Sequence, residues 1–417
     1  MKKAKSILIV AGEASSDNYA ADVVEAFQQK MEEPVRFFGI GGPRLEKLGV
    51  ELLFRAEDLA VVGGPSEIIG KLGLVFRALR SLRKRAAGER PDLALLLDMP
   101  DFNLRLAPLL SKLHVPVLYY ISPQVWAWRS SRVKILEKSV RKLLAILPFE
   151  VEWYRGRTQT LEVSFVGHPL LDRLSPRWNR EEMRRRLDCS SDDLLIALLP
   201  GSREGEVKAL FPAMLEGARF IQKELMRARF VVPLASTLRR TMCEEIVSQY
   251  PIDIEIVEDG TYETLNGADF AIVCSGTATL EAALFGVPMV IVYRLSPLSS
   301  QIGRFLIQTP YMGLVNIIAG RELCPELLQN EVSGEGIAEA VLSILEDPAH
   351  YRWIREELTH LRKKLGSPGA SQRVAEEMSK ILHLPSVAKP QIHQRRGVWS
   401  TTQSKKFQSC GAESSED

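Results

Sequence analysis

The sequence predicts an α/β protein made of two consecutive parallel-sheet units. Three observations carry this expectation. Short apolar runs alternate with amphipathic stretches of helical period, the grammar of β-α-β units. The alternation halts at Gly167-His168-Pro169 and then restarts. Turns rich in Gly, Ser and Asp follow several of the runs, as expected where a strand passes into a helix.

In chain order, strands are expected over residues 6–10, 36–40, 93–98, 115–121 and 143–147, and again over 194–199, 230–233, 252–257, 270–274 and 287–293. The first run follows Lys2, Lys3 and Lys5 and so imitates a secretory signal, but Ile7 to Ala11 is too short for an apolar signal core of ~7–15 residues. It reads as a buried strand. No run approaches the ~18 uninterrupted apolar residues of a spanning helix. Pro169, Pro176 and intervening charges place a boundary near 168–178, giving a first domain over 1–168 and a second over 169–345. From about 336 to 382 the pattern is helical, and the last helices, over 346–383, are expected to pack back across the first domain. Residues 384–417 are rich in Ser, Gln, Lys and Pro, a disordered-tail composition.

The length of 417 residues suits two domains of typical size, and 46% apolar with 25% charged residues is ordinary globular material. Lys and Arg number 54 against 52 Asp and Glu, a net charge of +2, which argues against a surface devoted to nucleic acid. Five cysteines lie far apart without a CxxC pair, so neither a disulfide framework nor a zinc site is signalled, and a reducing cytoplasm fits. The six histidines show no ligand spacing.

Four turns and one helix can carry chemistry. In Ala11-Gly12-Glu13-Ala14-Ser15-Ser16-Asp17, small residues after the first strand present amide N–H groups at the mouth of the sheet; an ordinary turn capped by Ser15 or Ser16 reads equally well. In Leu97-Asp98-Met99-Pro100-Asp101-Phe102-Asn103, Asp98 stands at the carboxyl end of a buried strand, where it can act as a general base, while Asp101 is assigned to capping a helix that begins near Phe102. In Pro200-Gly201-Ser202-Arg203, Gly201 allows close approach of a phosphate, Ser202 can donate to it and Arg203 offers a planar cation. The spacing is not that of a P-loop, and a plain turn capped by Ser202 remains an alternative. In Ser275-Gly276-Thr277-Ala278-Thr279-Leu280-Glu281, a helix N-terminus faces an anion and Glu281 can accept from a ribose diol, or simply complement the helix dipole.

The helix is the stretch 68–90. Ile68, Leu72, Val75, Phe76, Leu79 and Leu82 form one apolar face, and Lys71, Arg77, Arg80, Arg83, Lys84, Arg85 and Arg90 stand against the single anion Glu89. This suits either an interfacial helix on anionic lipid or a helix docked on a sheet with a solvated basic face. Beyond the fourth strand's partner lies Ser122-Pro123-Gln124-Val125-Trp126-Ala127-Trp128-Arg129, whose Trp126 and Trp128 line either a cleft or the core.

Taken in order, these segments resemble the lipid-A-disaccharide synthase family. The matching stretches include Ala11-Gly12-Glu13 with Ser15 and Asp17, Gly42-Pro43-Arg44, Asp98 to Asn103, Ser122-Pro123 with Val125 to Arg129, Leu147-Pro148-Phe149-Glu150, Val166-Gly167-His168, Leu199 to Arg203 with Glu206-Val207, Ser275 to Glu281, Tyr293-Arg294, and Asn316 with Ala319 to Glu322. The sequence departs from the family pattern at Ser16, where Gly is usual, at Val315, where Pro is common, and in a turn over 62–67 that is one residue longer. The resemblance implies the GT-B architecture: two Rossmann-like parallel-sheet domains facing a cleft, with C-terminal helices returning to the first. It implies an inverting, metal-independent transfer of 2,3-diacylglucosamine from its UDP donor to 2,3-diacylglucosamine 1-phosphate, giving a β-1,6 disaccharide 1-phosphate and UDP for lipopolysaccharide.

On that likeness Asp98 is the base. Gly201, Ser202, Arg203, Ser275, Gly276, Thr277, Glu281, Arg294 and Asn316 would bind the UDP-sugar, and Gly12, Glu13, Ser15 and Trp126 would stand on the acceptor side. Acylated substrates favour membrane contact through Ile68, Ile69, Leu72, Val75, Phe76, Leu79, Arg77 and Arg80. No cofactor is implied. A homodimer and a peripheral place on the cytoplasmic face of a Gram-negative inner membrane are implied by the family alone. The open alternatives are another UDP-sugar enzyme of this architecture, such as a UDP-N-acetylglucosamine 2-epimerase, and a non-catalytic nucleotide-sugar or lipid binder.

Overall fold

A computed structural model describes residues 5–31, 34–59, 65–127, 129–294 and 309–383, with the side chains of 14 and 65–72 outside that description. The stretch 60–64, Trp128 and the expected tail over 384–417 therefore lie outside the described residues. The first sheet contains β1 (Ser6–Ala11), β2 (Arg36–Gly41), β3 (Glu51–Arg55), β4 (Leu93–Leu97), β5 (Val117–Tyr120), β6 (Lys142–Ala145) and β7 (Glu162–Phe165). Their order is β3-β2-β1-β4-β5-β6-β7, every neighbouring pair parallel. The second sheet contains β8 (Leu194–Leu199), β9 (Ala228–Leu234), β10 (Ile254–Glu258), β11 (Phe270–Cys274), β12 (Met289–Tyr293) and β13 (Glu326–Leu328), ordered β10-β9-β8-β11-β12-β13 and again all parallel.

Why these segments are strands follows from what covers them. Parallel strands inside such a sheet are buried on both faces and so read as continuous aliphatic runs. Every residue of Ser6–Ala11, Leu93–Leu97 and Phe270–Cys274 is buried. Ile7 and Ile9 pack on one side of the first sheet while Leu8 and Val10 pack on the other. The strand order reverses between β1 and β4, and between β8 and β11. At such switch points the following turns diverge and leave a crevice beyond the carboxyl ends of the strands.

Of the helices expected over 346–383 to pack back, Ala370–His383 returns to the first sheet's side of the molecule. Pro348–Lys364 instead stays with the second, packing on the helix Thr277–Leu284 with Arg362 donating to Leu284 O at 3.1 Å. Ala370–His383 lies against the helix Ala14–Lys30, with Lys30 paired to Glu376 at 2.6 Å and Lys142 of β6 paired to Glu377 at 2.7 Å. Asp172 anchors its start by accepting the amides of Gly369, Ala370 and Ser371.

The helix Pro65–Glu89 corrects one expectation. Leu79, expected to contact a membrane, is 7% exposed and packs with Ala78, Leu82 and Ala86 onto the sheet face that carries Leu8, Phe38, Ile40 and Leu96. The C-terminal half of the predicted stripe is thus core, because a crossover helix must cover its sheet. Phe76 differs: it is 60% exposed. Val75 is half-buried at the edge of that core, and Arg77 and Arg80 are exposed without an ion pair among the described residues. Arg85 is tied to Glu51 at 2.8 Å and to Glu89. The side chains of Ile68, Ile69 and Leu72 lie outside the described residues.

Candidate functional site

At the first switch point Ala11 stands opposite Leu97, so Gly12-Glu13 and Asp98-Met99 leave adjacent strands side by side. A Cβ on Gly12 would lie 2.0 Å from the Met99 sulfur, so a larger residue there would have to displace the Met99 side chain. Asp98 and Met99 both occupy the left-handed region, with φ of 46° and 44°. For residues with side chains this costs about 1–2 kcal/mol each and persists only where the surroundings enforce it. The enforcement is visible. The Asp98 amide donates to Tyr120 O at 3.2 Å, and the Asp98 carbonyl accepts from Tyr119 Oη at 2.6 Å and from Asn103 Nδ2 at 2.8 Å.

The Asp98 carboxyl is half-buried and is pushed up to about 6, first by burial and then by the Glu13 charge, against one stabilising bond from the Met99 amide. Glu13 itself is exposed at the start of the helix Ala14–Lys30 and makes no side-chain cap. Neither serine caps it either: Ser15 is exposed, and the Ser16 hydroxyl is buried without a hydrogen-bond partner among the described residues. Asp17 ties the first turn to the Gly42-Pro43-Arg44 segment. Its carboxylate accepts the amides of Gly42 at 2.7 Å, Arg44 at 3.0 Å and Leu45 at 3.3 Å, opening the short helix Pro43–Lys47.

Asp101 is corrected. The helix Pro100–Lys112 begins at Pro100 with no side-chain cap, and Asp101 instead pairs with Arg132 and, at 3.5 Å, with Arg129. Trp126 is also corrected, from acceptor contact to strut. It is 5% exposed, meets Phe149 edge-on at 5.0 Å and donates Nε1–H to Glu150 at 3.0 Å. Glu150 further accepts the amides of Ile146 and Leu147 at 3.2 and 3.0 Å, and burial raises its carboxyl to about 7 in spite of those bonds. Trp128 lies outside the described residues.

At the second switch point Leu199 stands opposite Val273, bringing Gly201-Ser202-Arg203 beside Ser275-Gly276-Thr277. Gly201 has φ of 122°, and a Cβ there would lie 2.6 Å from the Glu206 carboxylate. Glu206, part of the matching stretch but given no role from the sequence, is the residue that shapes this turn. It accepts the amides of Ser202 at 3.1 Å and Arg203 at 3.3 Å and holds Arg203 Nη1 at 2.8 Å. The turn's amides are therefore engaged by the helix's own carboxylate rather than open to a phosphate. The spacing Arg203-x-x-Glu206, a capping-box spacing, was the available signal. Arg203 remains exposed; burial opposes its charge, while Glu206 and, from the first sheet's turn, Glu13 favour it.

Gly276 and Thr277 are exposed at the head of the helix Thr277–Leu284, and Ser275 Oγ donates to Met312 O at 3.0 Å. Glu281, one turn further on, accepts from Tyr262 Oη at 3.4 Å. Burial raises its carboxyl, partly offset by Tyr262 and Arg173. Its charge also acts on Tyr19 of the helix Ala14–Lys30, and Arg173 lies 3.5 Å from Asp22 of that helix. Glu281 thus faces residues carried by the first sheet, as Arg203 does.

Two expected ligand contacts are structural instead. Arg294 directs its guanidinium onto carbonyls, with Nη1 to Ala209 O at 2.7 Å, Nε to Gln329 O at 3.3 Å and Nη2 to Val332 O, clasping the end of β12 to a helix and a turn. Asn316 is fully buried. Its amide donates to Cys324 O at 2.7 Å and Glu326 at 2.8 Å, and its oxygen accepts the amides of Leu323 and Cys324 at 2.8 and 3.0 Å. All its capacity is used in shaping the loop before β13, where Glu326 in turn accepts the amides of Met312 and Gly313.

The fold is shared with solved structures. UDP-GlcNAc 2-epimerase from Neisseria meningitidis, bound to UDP-GlcNAc, superposes with a TM-score of 0.63 at 13% identity, covering 90% of this chain and 100% of that one. MurG from Acinetobacter baumannii gives 0.55 at 16% identity, covering 91% and 100%. At such identities the likeness concerns the fold, the GT-B arrangement of two Rossmann-like halves. Sequence relatives are far closer. The lipid-A-disaccharide synthase of Syntrophus aciditrophicus is 45% identical over 372 residues, 89% of this chain and 96% of the relative, and that of Geobacter sulfurreducens is 42% identical over 370, 88% and 95%. The description "lipid-A-disaccharide synthetase" matches residues 7–381, which include both switch-point turns, and the chain therefore belongs to the lipid-A-disaccharide synthetase family.

Proposed function

We propose that this chain is a lipid-A-disaccharide synthase, moving 2,3-diacylglucosamine from UDP to the 6-hydroxyl of 2,3-diacylglucosamine 1-phosphate. The observation that carries the mechanism is the Asp98 carboxyl, held at the first switch point beside Glu13, whose charge also acts on Arg203, and raised to about 6. A base of that strength is ionised at neutral pH and can still accept a hydroxyl proton as the transition state forms. The acceptor oxygen bonds to the anomeric carbon as its proton passes to Asp98, and the bond from that carbon to the UDP oxygen breaks on the opposite face, inverting configuration.

Charge developing on the leaving diphosphate is met by Arg203 and the head of the helix Thr277–Leu284, with Glu281 on the ribose hydroxyls. Gly12, Glu13 and Ser15 stand on the acceptor side. The acceptor half is assigned to residues 1–168 and the donor half to 169–345. Acyl chains must be met at a lipid surface, and exposed Phe76 with Arg77 and Arg80 suits the cytoplasmic face of an anionic membrane. Among the described residues no helix is long and apolar enough to cross one.

The test is a UDP-release assay with UDP-2,3-diacylglucosamine and 2,3-diacylglucosamine 1-phosphate, with the disaccharide identified by mass spectrometry. Asp98→Ala should abolish turnover while UDP affinity persists. Absence of UDP release from the unaltered protein refutes the reading.

A further inference from the structure

We propose that Tyr119 and Asn103 are positioning residues for the transfer step: together they hold the Asp98 main-chain carbonyl and so aim the Asp98 carboxyl into the crevice. The proposal rests on the reading of Asp98 as the base.

Asp98 lies just past the end of β4, and the next ladder contact, its amide to Tyr120 O, is the last bond the sheet supplies. Beyond that point the chain turns through two left-handed residues, neither of them glycine. Glycine would adopt this geometry freely; Asp and Met adopt it only under constraint. The constraint falls on one atom. Tyr119, fully buried on the neighbouring strand, donates its hydroxyl to Asp98 O at 2.6 Å. Asn103, fully buried in the first turn of the helix Pro100–Lys112, donates to Asp98 O at 2.8 Å and to Leu97 O at 3.0 Å. A carbonyl bound twice cannot rotate, so ψ of Asp98 is set.

The carboxyl has no comparable restraint. Among the described residues its hydrogen-bond donor is the Met99 amide, and no side chain binds it. Its direction is inherited from the backbone, and the clamp is what determines that backbone. A purely structural role for Tyr119 would be satisfied by any partner for its hydroxyl. Here the partner is the peptide group of the residue read as the base.

Tyr119→Phe deletes one clamp bond and keeps the ring. The expected result in the UDP-release assay is a loss in kcat of about 10-fold, with KM for both substrates and Kd for UDP within about twofold of the unaltered protein. The same change placed on Asp98→Asn, whose residual rate lacks the base, should cost less than about twofold, since a residue acting through Asp98 has nothing left to position. Where Asp98→Asn leaves no measurable rate, the split between kcat and KM decides. If Tyr119→Phe fails to fold, by circular dichroism, Asn103→Ala is measured in its place with the same split expected. Unchanged kcat in a folded variant overturns the proposal, as does an equal loss in both backgrounds or a loss shared by UDP affinity. Full turnover by Asp98→Asn would instead remove the base assignment itself, a failure distinct from a silent Tyr119→Phe beside an inactive Asp98→Asn.

Discussion

Glu13→Gln tests the electrostatics of the first switch point directly, because it removes a charge and almost no volume. The Asp98 carboxyl stands at about 6 against an ordinary 3.8, with burial the larger cause and Glu13 the second. That displacement corresponds to about 3 kcal/mol between its two protonation states. Glutamine leaves the burial in place, so the pKa should fall by roughly half to one unit and stay above the ordinary carboxylate range. The sign follows from the role: a base works deprotonated, so the rate falls as pH drops through its pKa, and a lower pKa shifts that limb to lower pH. At pH 5 a group of pKa about 6 is about one-tenth ionised, and lowering it to ~5.3 makes it about one-third ionised. The ratio of kcat/KM at pH 5 to that at pH 8 should therefore rise about threefold in Glu13→Gln. Taking the ratio within each variant cancels any change in the plateau that arises because Glu13 also acts on Arg203. An unchanged ratio, or a limb moved to higher pH, would refute the assignment of that limb to Asp98 under the influence of Glu13.

Asn316→Ala should leave the amides of Leu323 and Cys324 unpaired and lower stability by about 2–4 kcal/mol in urea unfolding, with Arg294→Ala losing less because that side chain is exposed. For both, UDP affinity of the folded protein should stay within about twofold; a large selective loss of affinity would return them to the ligand. On the helix Pro65–Glu89, Phe76→Ser combined with Arg77→Glu and Arg80→Glu should release the protein from anionic vesicles in a sedimentation assay at unchanged melting temperature. Leu79→Ser should lower the melting temperature instead, since it places a hydroxyl in the core. Persistent vesicle binding by the triple variant would exclude this face as the contact.

The order of the fold was legible because burial on both faces of a central parallel strand demands an unbroken aliphatic run, as in Leu93–Leu97 and Phe270–Cys274. Three strands escaped notice, Glu51–Arg55, Glu162–Phe165 and Glu326–Leu328, and all three lie at sheet edges. Partly exposed, they mix polar with apolar residues and carry no such signature. The four chemistry-bearing turns were legible for a related reason: each follows the end of a central strand, and the strand order brings them together pairwise at the two switch points.

What a side chain faces was another matter. Arg294 has the chemistry of a phosphate ligand, but the guanidinium meets the Ala209 carbonyl on a helix distant in the chain, and no local pattern announces that encounter. Asn316 and Trp126 were misread for the same reason, their polar atoms being consumed by Cys324 and by Glu150. Residue type and spacing determined which elements form and which groups stand at the strand ends. Tertiary structure alone decided which of those groups remain open to a substrate. Hydrogen-bond capacity is used up by whichever partner the folded chain brings within about 3 Å, and that partner is set by packing rather than by sequence neighbourhood.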